Sequence, residues 1–198
     1  MPGNYTEFFL TIVSDRAPSF MLMKKLKNEE LDRLSIEEFK AKEKQQIVII
    51  LDNIRSMNNV GSAFRTADAF LIEKIYLCGI TASPPHREIN KTALGATESV
   101  SWEHHEKTET LIEELREEGY RIVCVEQADE SIPLQDFLPY KDCKYCLVFG
   151  NEVFGVSDEV VEKADTCLEI PQFGTKHSLN VSVSIGVVMW DFFKKLED

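Results

Sequence analysis

Features that would assign this 198-residue chain to a membrane, secreted or multidomain class are missing from its sequence. It has no apolar run near the roughly 18 residues that a transmembrane helix needs, and the apolar segment 8–13 lacks the charged flank and cleavage site of a signal peptide. Its five cysteines are too scattered for a disulfide framework, which favours reduced, buried thiols. We therefore expect a cytoplasmic protein with one main domain.

Basic residues are also scarce, since the formal net charge is −12, and such a charge repels nucleic acid over long range. The first 46 residues hold eight basic and eight acidic side chains, so the whole excess of acidic residues lies in residues 47–198. Several basic residues of that part fall in or beside loops that follow predicted strands: Arg55, Arg65, Arg87, Lys91 and Lys176. The sequence therefore permits a small basic patch, whose binding to a polyanion would depend strongly on salt.

Apolar runs alternate with helical patterns along the chain. Strands are predicted at 47–52, 74–79, 120–125, 145–149 and 167–170, and helices at 24–44, 59–70, 108–118, 157–165 and 178–196. This order predicts an α/β fold with a mostly parallel sheet and helices on both faces. Ser35 and Glu38 match a capping box. Residues 1–46 are expected to form a helical extension, with 1–22 loosely ordered or non-native, and residues 47–198 the main domain.

The C-terminal segment carries two conflicting patterns. Apolar residues alternate strictly from Val181 to Val187, which favours a strand. Small residues recur every fourth position at Ser178, Ser182 and Gly186, which favours a helix packed closely on another backbone. The alternation and the β-branched residues, taken alone, predict a strand, and the small-residue row is the competing signal.

The first of three polar loops at predicted strand ends leads into the helix predicted at 59–70. Asn59 occupies the expected cap position of that helix. Arg65 lies off its apolar stripe and on the face of Gly61, so its guanidinium can reach over the bare glycine toward the strand end. A solvated surface arginine is the alternative.

The second loop, Gly150-Asn151-Glu152, follows an apolar run, and the third, Ser178-Leu179-Asn180, precedes the last predicted helix. Taken singly, the second is also compatible with a tight turn and the third with a helix cap. Gly150 and Gly155 have the spacing of a P-loop, but Val156-Ser157 replaces its Lys-Ser/Thr, so a phosphate cradle of that kind is not supported.

Together the three loops resemble the signature motifs of the SpoU (TrmH) family of SPOUT methyltransferases. The matching strings are Asn-x-Gly-x-x-x-Arg, Gly-Asn-Glu and IPxxGxxxSLNVSVS, and the resemblance covers residues 47–195. Gln172 stands where many relatives have methionine. The resemblance implies a C-terminal helix that completes a deep trefoil knot, and transfer of a methyl group from S-adenosylmethionine to a ribose 2′-hydroxyl in RNA.

The resemblance also implies roles for single residues. Arg65 holds the substrate phosphate and orients the hydroxyl, or accepts its proton, and four residues fix the substrate around it: Asn59, Glu152, Ser178 and Asn180. Backbone groups hold the adenosine near Gln127, Gly150, Ile170 and Leu179, with Gly150 allowing close approach. A homodimer with the site at the subunit contact is expected. Not all aromatic residues of the last helix can face one core, so some of them should be buried against the partner: Trp190, Phe192 and Phe193.

Some alternatives remain. A knotted RNA-binding or assembly module without catalysis suits the acidic surface, but it has no chemical reason to keep the complete motif set. An α/β nucleotide-binding enzyme lacks its G-x-G-x-x-G and P-loop lysine here. Cys143 and Cys146 form C-x-x-C, but they precede a strand and have no second pair to complete a zinc site. The four histidines share no metal-ligand spacing, so no metal is expected. Because 46 N-terminal residues leave no room for the RNA-binding domain of many ribosomal-RNA relatives, tRNA is expected over rRNA.

Overall fold

The computed structural model describes residues 23–197, in a chain that divides into two units, Met1–Arg33 and Leu34–Asp198. In the described part of the first unit, Asn28–Glu30 form one turn of 3-10 helix. The expectation that residues 1–22 are loosely ordered lies outside the described residues. No helix within 23–197 is long and apolar enough to cross a membrane.

The second unit is built around a parallel sheet. Its strands are β1 (Gln45–Asp52), β2 (Ile72–Cys78), β3 (Ser101–His105), β4 (Tyr120–Val125), β5 (Ile132–Pro133), β6 (Lys144–Phe149) and β7 (Thr166–Glu169). Its helices are α1 (Ile36–Ala41), α2 (Met57–Ala69), α3 (Arg87–Ala93), α4 (Ala96–Ser99), α5 (Thr108–Glu117), α6 (Asp158–Lys163) and α7 (Val181–Glu197), with a 3-10 turn at Leu134–Asp136. In the described part of the chain the strand order is β3-β2-β1-β6-β4-β7-β5, and every pairing is parallel.

Side chains of the central strands alternate between two apolar cores. On one face, Ile47, Ile49 and Leu51 of β1 belong to the core that α2 and α7 cover. On the other face, Val48 and Ile50 belong to the core that α5 and α6 cover. Because a strand buried on both faces needs apolar residues at every position, these strands read as continuous apolar runs. The predicted α/β fold with helices on both faces is confirmed.

The C-terminal segment is a helix. Buried residues recur along α7 every three or four positions, at Val181, Ile185, Val188 and Phe192, which is helical spacing. The alternating pattern arises because this helix also carries exposed apolar residues between the buried ones. The helix implied by the family resemblance is therefore confirmed, and the trefoil knot stays a prediction.

The continuous helix predicted over 24–44 is wrong. Ser35 has an extended backbone, its Oγ accepts the N–H of Glu38 at 3.2 Å, and the Glu38 carboxylate accepts the N–H of Ser35 at 2.8 Å. The predicted capping box is thus confirmed. Since a cap residue lies outside helical geometry, it starts α1 at Ile36 and separates it from the preceding turn.

Candidate active site

A cavity of about 480 Å³ opens at the carboxyl ends of β4, β6 and β7. Its wall contains all four residues predicted to lie near the adenosine: Gln127, Gly150, Ile170 and Leu179. Three residues of the predicted catalytic set also line it: Glu152, Ser178 and Asn180. Loops that are far apart in the sequence therefore meet where parallel sheets usually form their ligand sites.

The loop after β6 is a closed turn. Asn151 and Gly155 exchange two backbone hydrogen bonds of 2.9 Å, and Asn151 Oδ1 accepts the N–H groups of Val153 at 2.8 Å and Phe154 at 3.1 Å. Asn151 Nδ2 donates to the carbonyl oxygen of Asn53 at 2.6 Å, which joins this loop to the one after β1. The buried Asn151 side chain thus fixes the shape of the loop.

Gly150 has a structural role in addition to the cofactor approach that the resemblance implies. A Cβ at this position would collide with the backbone nitrogen of Val156 and the carbonyl of Gly155. The glycine is therefore required for the closed turn to fold back on its own backbone, whether or not a ligand also approaches it.

Glu152 joins the loop after β6 to the start of α2. Its Oε2 accepts the N–H of Arg55 at 2.9 Å, and its Oε1 accepts the N–H of Ser56 at 3.0 Å and the Nδ2 of Asn59 at 2.9 Å. Partial burial raises the pKa of the Glu152 carboxyl, but the three donors outweigh it, so the net effect is a lowered pKa. Glu152 is therefore ionised, and both of its carboxylate oxygens already accept hydrogen bonds from the protein.

Asn59 extends this network to the third loop. Its Oδ1 accepts a hydrogen bond from the Nδ2 of Asn180 at 3.1 Å. Asn180 precedes α7, and its Oδ1 accepts the N–H of Ser182 at 2.9 Å, which is the hydrogen bond of a helix cap. The cap position predicted for Asn59 is wrong, because Ser56 caps α2 and Asn59 lies inside its first turn. Asn59 is 9% exposed and links Glu152 to Asn180, so one residue connects all three motif loops.

Arg65 does not join this cluster. It is exposed on α2, six residues after Asn59, and does not line the cavity of its own chain. A Cβ on Gly61 would collide with Thr92 Oγ1 and the Ile89 carbonyl, because α3 packs there. The predicted route for the guanidinium over a bare Gly61 is therefore wrong.

Two carboxylates at the cavity were missed by the sequence analysis. Glu126 directly follows β4, and its Oε2 accepts the N–H of Val156 at 3.1 Å. Glu169 ends β7 and also lines the cavity. With Glu152 they give the cavity a negative wall, which favours a positively charged ligand. Their position at the carboxyl ends of parallel strands is the signal that would have found them.

No group of three or more His, Cys, Asp or Glu residues is placed to hold a metal ion within residues 23–197. The five cysteines are free thiols. Burial raises the pKa of the Cys78 thiol to about 12, so it is neutral and unreactive at physiological pH.

Known proteins resemble the chain in sequence and in structure. A family model described as the SpoU rRNA Methylase family matches residues 46–190. The chain is 32% identical over 161 residues to the tRNA (guanosine(18)-2′-O)-methyltransferase of Aquifex aeolicus, covering 79% of this chain and 73% of that protein. It is 32% identical over 143 residues to the 23S rRNA (guanosine-2′-O-)-methyltransferase RlmB of Neisseria meningitidis, covering 72% and 56%. The AdoMet-bound rRNA methyltransferase of Sinorhizobium meliloti has a TM-score of 0.72 at 27% identity, covering 80% of this chain and 60% of that one.

Proposed function

The chain belongs to the SpoU rRNA methylase family, and on that premise we propose that it transfers a methyl group from S-adenosylmethionine to a ribose 2′-hydroxyl in RNA. The observation that carries the proposal is the convergence of three motif loops on one cavity, tied together by Glu152, Asn59 and Asn180. A network of this kind holds groups in fixed positions, which is what a reaction between two bound substrates requires.

The cavity suits S-adenosylmethionine in size and charge. Pockets for small molecules measure about 300–1,000 Å³, and this cavity measures about 480 Å³. The negative wall formed by Glu126, Glu152 and Glu169 matches the positive sulfonium, which supplies the electrophilic methyl group. Gln127 is held in place on the cavity wall, since its Nε2 donates to the His177 carbonyl and its backbone N–H donates to Glu126 Oε1, both at 2.8 Å. We assign the adenosine to backbone groups at the four predicted positions: Gln127, Gly150, Ile170 and Leu179.

The remaining chemistry is alignment of the 2′-oxygen and removal of its proton. Glu152 is not the proton acceptor in this proposal, because three donors occupy its oxygens and its pKa is lowered. Ser178 and Asn180 line the cavity and position the ribose. Arg65 binds the substrate phosphate, because a guanidinium stays protonated at accessible pH and so binds an anion more readily than it accepts a proton.

The surface of α7 supports a homodimer. Val183, Val187 and Trp190 recur every three or four residues and are 51%, 38% and 59% exposed, which makes them one apolar stripe. A contiguous exposed stripe of this kind marks a protein contact. Phe192 is buried in the core of its own chain, so Trp190 is the aromatic residue with most surface left for a partner.

A dimer also gives Arg65 a site to act on. α2 and α7 run in the same direction, since Asn59 bonds Asn180 just before α7 begins and Phe70, at the end of α2, packs on Trp190, with ring centroids 6.4 Å apart. Arg65 therefore lies alongside the first half of α7. We assign Arg65 to the cavity of the partner chain, because it does not line its own.

Replacing Val183 and Val187 together by aspartate is expected to abolish the dimer, because two buried charges would be unpaired in the contact. Sedimentation at micromolar concentration should then give a 22.7 kDa monomer, whereas the wild type sediments as a dimer. Ile80→Asp is the matched control, since Ile80 is 68% exposed but lies outside α7. A monomeric wild type, or a double variant that still dimerises, would contradict the assignment.

The activity is tested with the full chain, methyl-labelled S-adenosylmethionine, and either unfractionated tRNA or deproteinised ribosomal RNA. We expect label in dinucleotides that resist alkaline hydrolysis, because a methylated 2′-oxygen cannot attack the neighbouring phosphate. We propose tRNA as the better substrate, and EDTA should not change the rate. Calorimetry that finds no S-adenosylhomocysteine binding at millimolar concentration, together with retained RNA binding, would instead support a non-catalytic RNA-binding module.

A further inference from the structure

Arg55, Arg65 and Arg87 are exposed arginines without a carboxylate partner. Among residues 23–197, the ion pairs within 4.0 Å include none of the three. The chain has 34 acidic against 22 basic residues, so partners of opposite charge are abundant. These three arginines are therefore not held in place by the acidic side chains around them.

The packing of α3 on α2 brings Arg65 and Arg87 to similar positions along the two helix axes. Thr92 Oγ1 donates to the carbonyl of Asn58 at 3.0 Å, and Gly61 packs against the carbonyl of Ile89. Asn58 thus contacts Thr92, and Gly61, further along α2, contacts Ile89, earlier in α3, so the two helices run in opposite directions. Continuing this register places Arg87 within about one helical turn of Arg65.

Lys91 extends the same surface. It follows Arg87 by four residues, so the two side chains share a face of α3, about 6 Å apart along the axis. Its ion pair with Glu88 measures 3.8 Å and is exposed, which leaves most of its charge available. Arg55 lies at the other end of this surface, where its backbone N–H bonds Glu152 at the cavity.

Arg87 is also poorly placed for helix stability. It is the first residue of α3, where the helix dipole favours negative and not positive charge. Neither an ion pair nor the helix therefore accounts for a cation at this position.

We propose that Arg55, Arg65, Arg87 and Lys91 form a strip across α2 and α3 that binds the phosphodiester backbone of the RNA on one side of the target nucleotide. The inference rests on the proposed RNA substrate and adds the surface that holds it. Arginine forks bind phosphate oxygens in pairs, and a strip of cations on α2 and α3 offsets the repulsion that a net charge of −12 exerts on RNA.

The test uses the full-length double variant Arg87→Gln/Lys91→Gln, which removes two charges outside the proposed catalytic set. Binding of unfractionated tRNA and of deproteinised ribosomal RNA is measured by filter retention over a series of salt concentrations. We expect about ten-fold weaker binding of the RNA that is methylated, and a salt dependence reduced by about 1–2 units in the slope of log K against log salt. The KM for RNA should rise, with kcat and S-adenosylhomocysteine affinity unchanged.

Lys141→Gln is the matched control. Lys141 is exposed, has no ion pair within the described residues, and lines a second cavity of about 430 Å³ with Lys42 and Lys44. If Lys141→Gln weakens RNA binding as much as the double variant, or if the double variant keeps the wild-type salt slope, the strip is refuted. If the double variant instead becomes monomeric in sedimentation, the strip binds a second copy and not RNA. A wild type that neither binds nor methylates either RNA would overturn the proposed function itself.

Discussion

Replacing Arg65 by lysine is expected to lower the single-turnover rate of methyl transfer by about 100-fold or more, with S-adenosylhomocysteine affinity unchanged. Lysine keeps the charge but loses the planar fork that binds two phosphate oxygens at once. Cofactor binding is spared because, in the proposal, Arg65 binds the substrate phosphate, whereas backbone groups on the cavity wall hold the adenosine. Arg65→Ala should also weaken RNA affinity. The rate is measured at saturating S-adenosylmethionine on the RNA that the wild type methylates.

Arg33→Lys is the control for this substitution, since Arg33 is another exposed arginine without an ion pair in the described part of the chain. It should methylate RNA at the wild-type rate. If Arg65→Lys behaves in the same way, Arg65 is a surface residue whose replacement changes stability by about 0.5 kcal/mol or less.

Mixing two inactive variants distinguishes an Arg65 that serves the partner chain from one that serves its own. In a dimer of one Arg65→Ala chain and one Glu152→Gln chain, an intact Arg65 and an intact Glu152 would meet at one of the two cavities. Random exchange of subunits should then restore about a quarter of wild-type activity. No recovery after verified exchange would place both residues at the cavity of the same chain.

Replacing Glu152 by glutamine is expected to destabilise the protein by about 1–3 kcal/mol and to lower methyl transfer at least ten-fold. The amide keeps the size of the carboxylate, but its NH₂ group turns a donor toward Arg55 N–H, Ser56 N–H or Asn59 Nδ2, where the carboxylate accepted. Urea unfolding measures the first effect and single-turnover kinetics the second. Glu162→Gln, on the exposed side of α6, should change neither.

The difference in free energy of unfolding between wild type and Glu152→Gln should become smaller as the pH falls into the acid range. Because the folded-state pKa of Glu152 is lowered from 4.5, its ionised form stabilises the fold. That contribution is fully present above the pKa of the unfolded chain and is lost as the pH falls through the lower folded-state pKa. The difference should therefore be constant near neutrality and shrink in acid below about pH 4.5. A difference that grows in acid would contradict this role of Glu152.

The central strands were predicted well from the sequence, because both of their faces are buried and apolar residues therefore fill consecutive positions. β1, β4 and β6 lie within two residues of their predicted bounds. By contrast, β3 is an edge strand whose sequence SWEHH is largely exposed, so it carries no apolar pattern. α3 and α4 have seven and four residues, too few to show a helical period. For α7, the alternation of apolar residues taken alone predicted a strand, which is wrong, because both faces of this helix carry apolar residues.

The candidate site was predictable as a set of residues but not as an arrangement. Motif resemblance picked out Asn59, Glu152 and Asn180, yet it gave no indication that Asn59 bonds both of the others. Gly61 and Gly150 were interpreted as making room for a side chain or a ligand. At Gly61, Thr92 Oγ1 and the Ile89 carbonyl fill that room, which is a tertiary contact that no local pattern encodes. At Gly150, the backbone of Gly155 and Val156 lies against the glycine, and this contact too is absent from the local pattern.

The bonds that tie the three loops also have a consequence for how the protein folds. Asn59 lies 93 positions from Glu152 and 121 positions from Asn180 along the chain. Closing such long segments costs chain entropy before any contact repays it, whereas a local element such as α5 needs no closure. The last of the three loops is also made late during synthesis, after every strand of the sheet. A chain that has collapsed and formed its sheet can therefore still be inactive, and recovery of methyl transfer reports the final stage of folding.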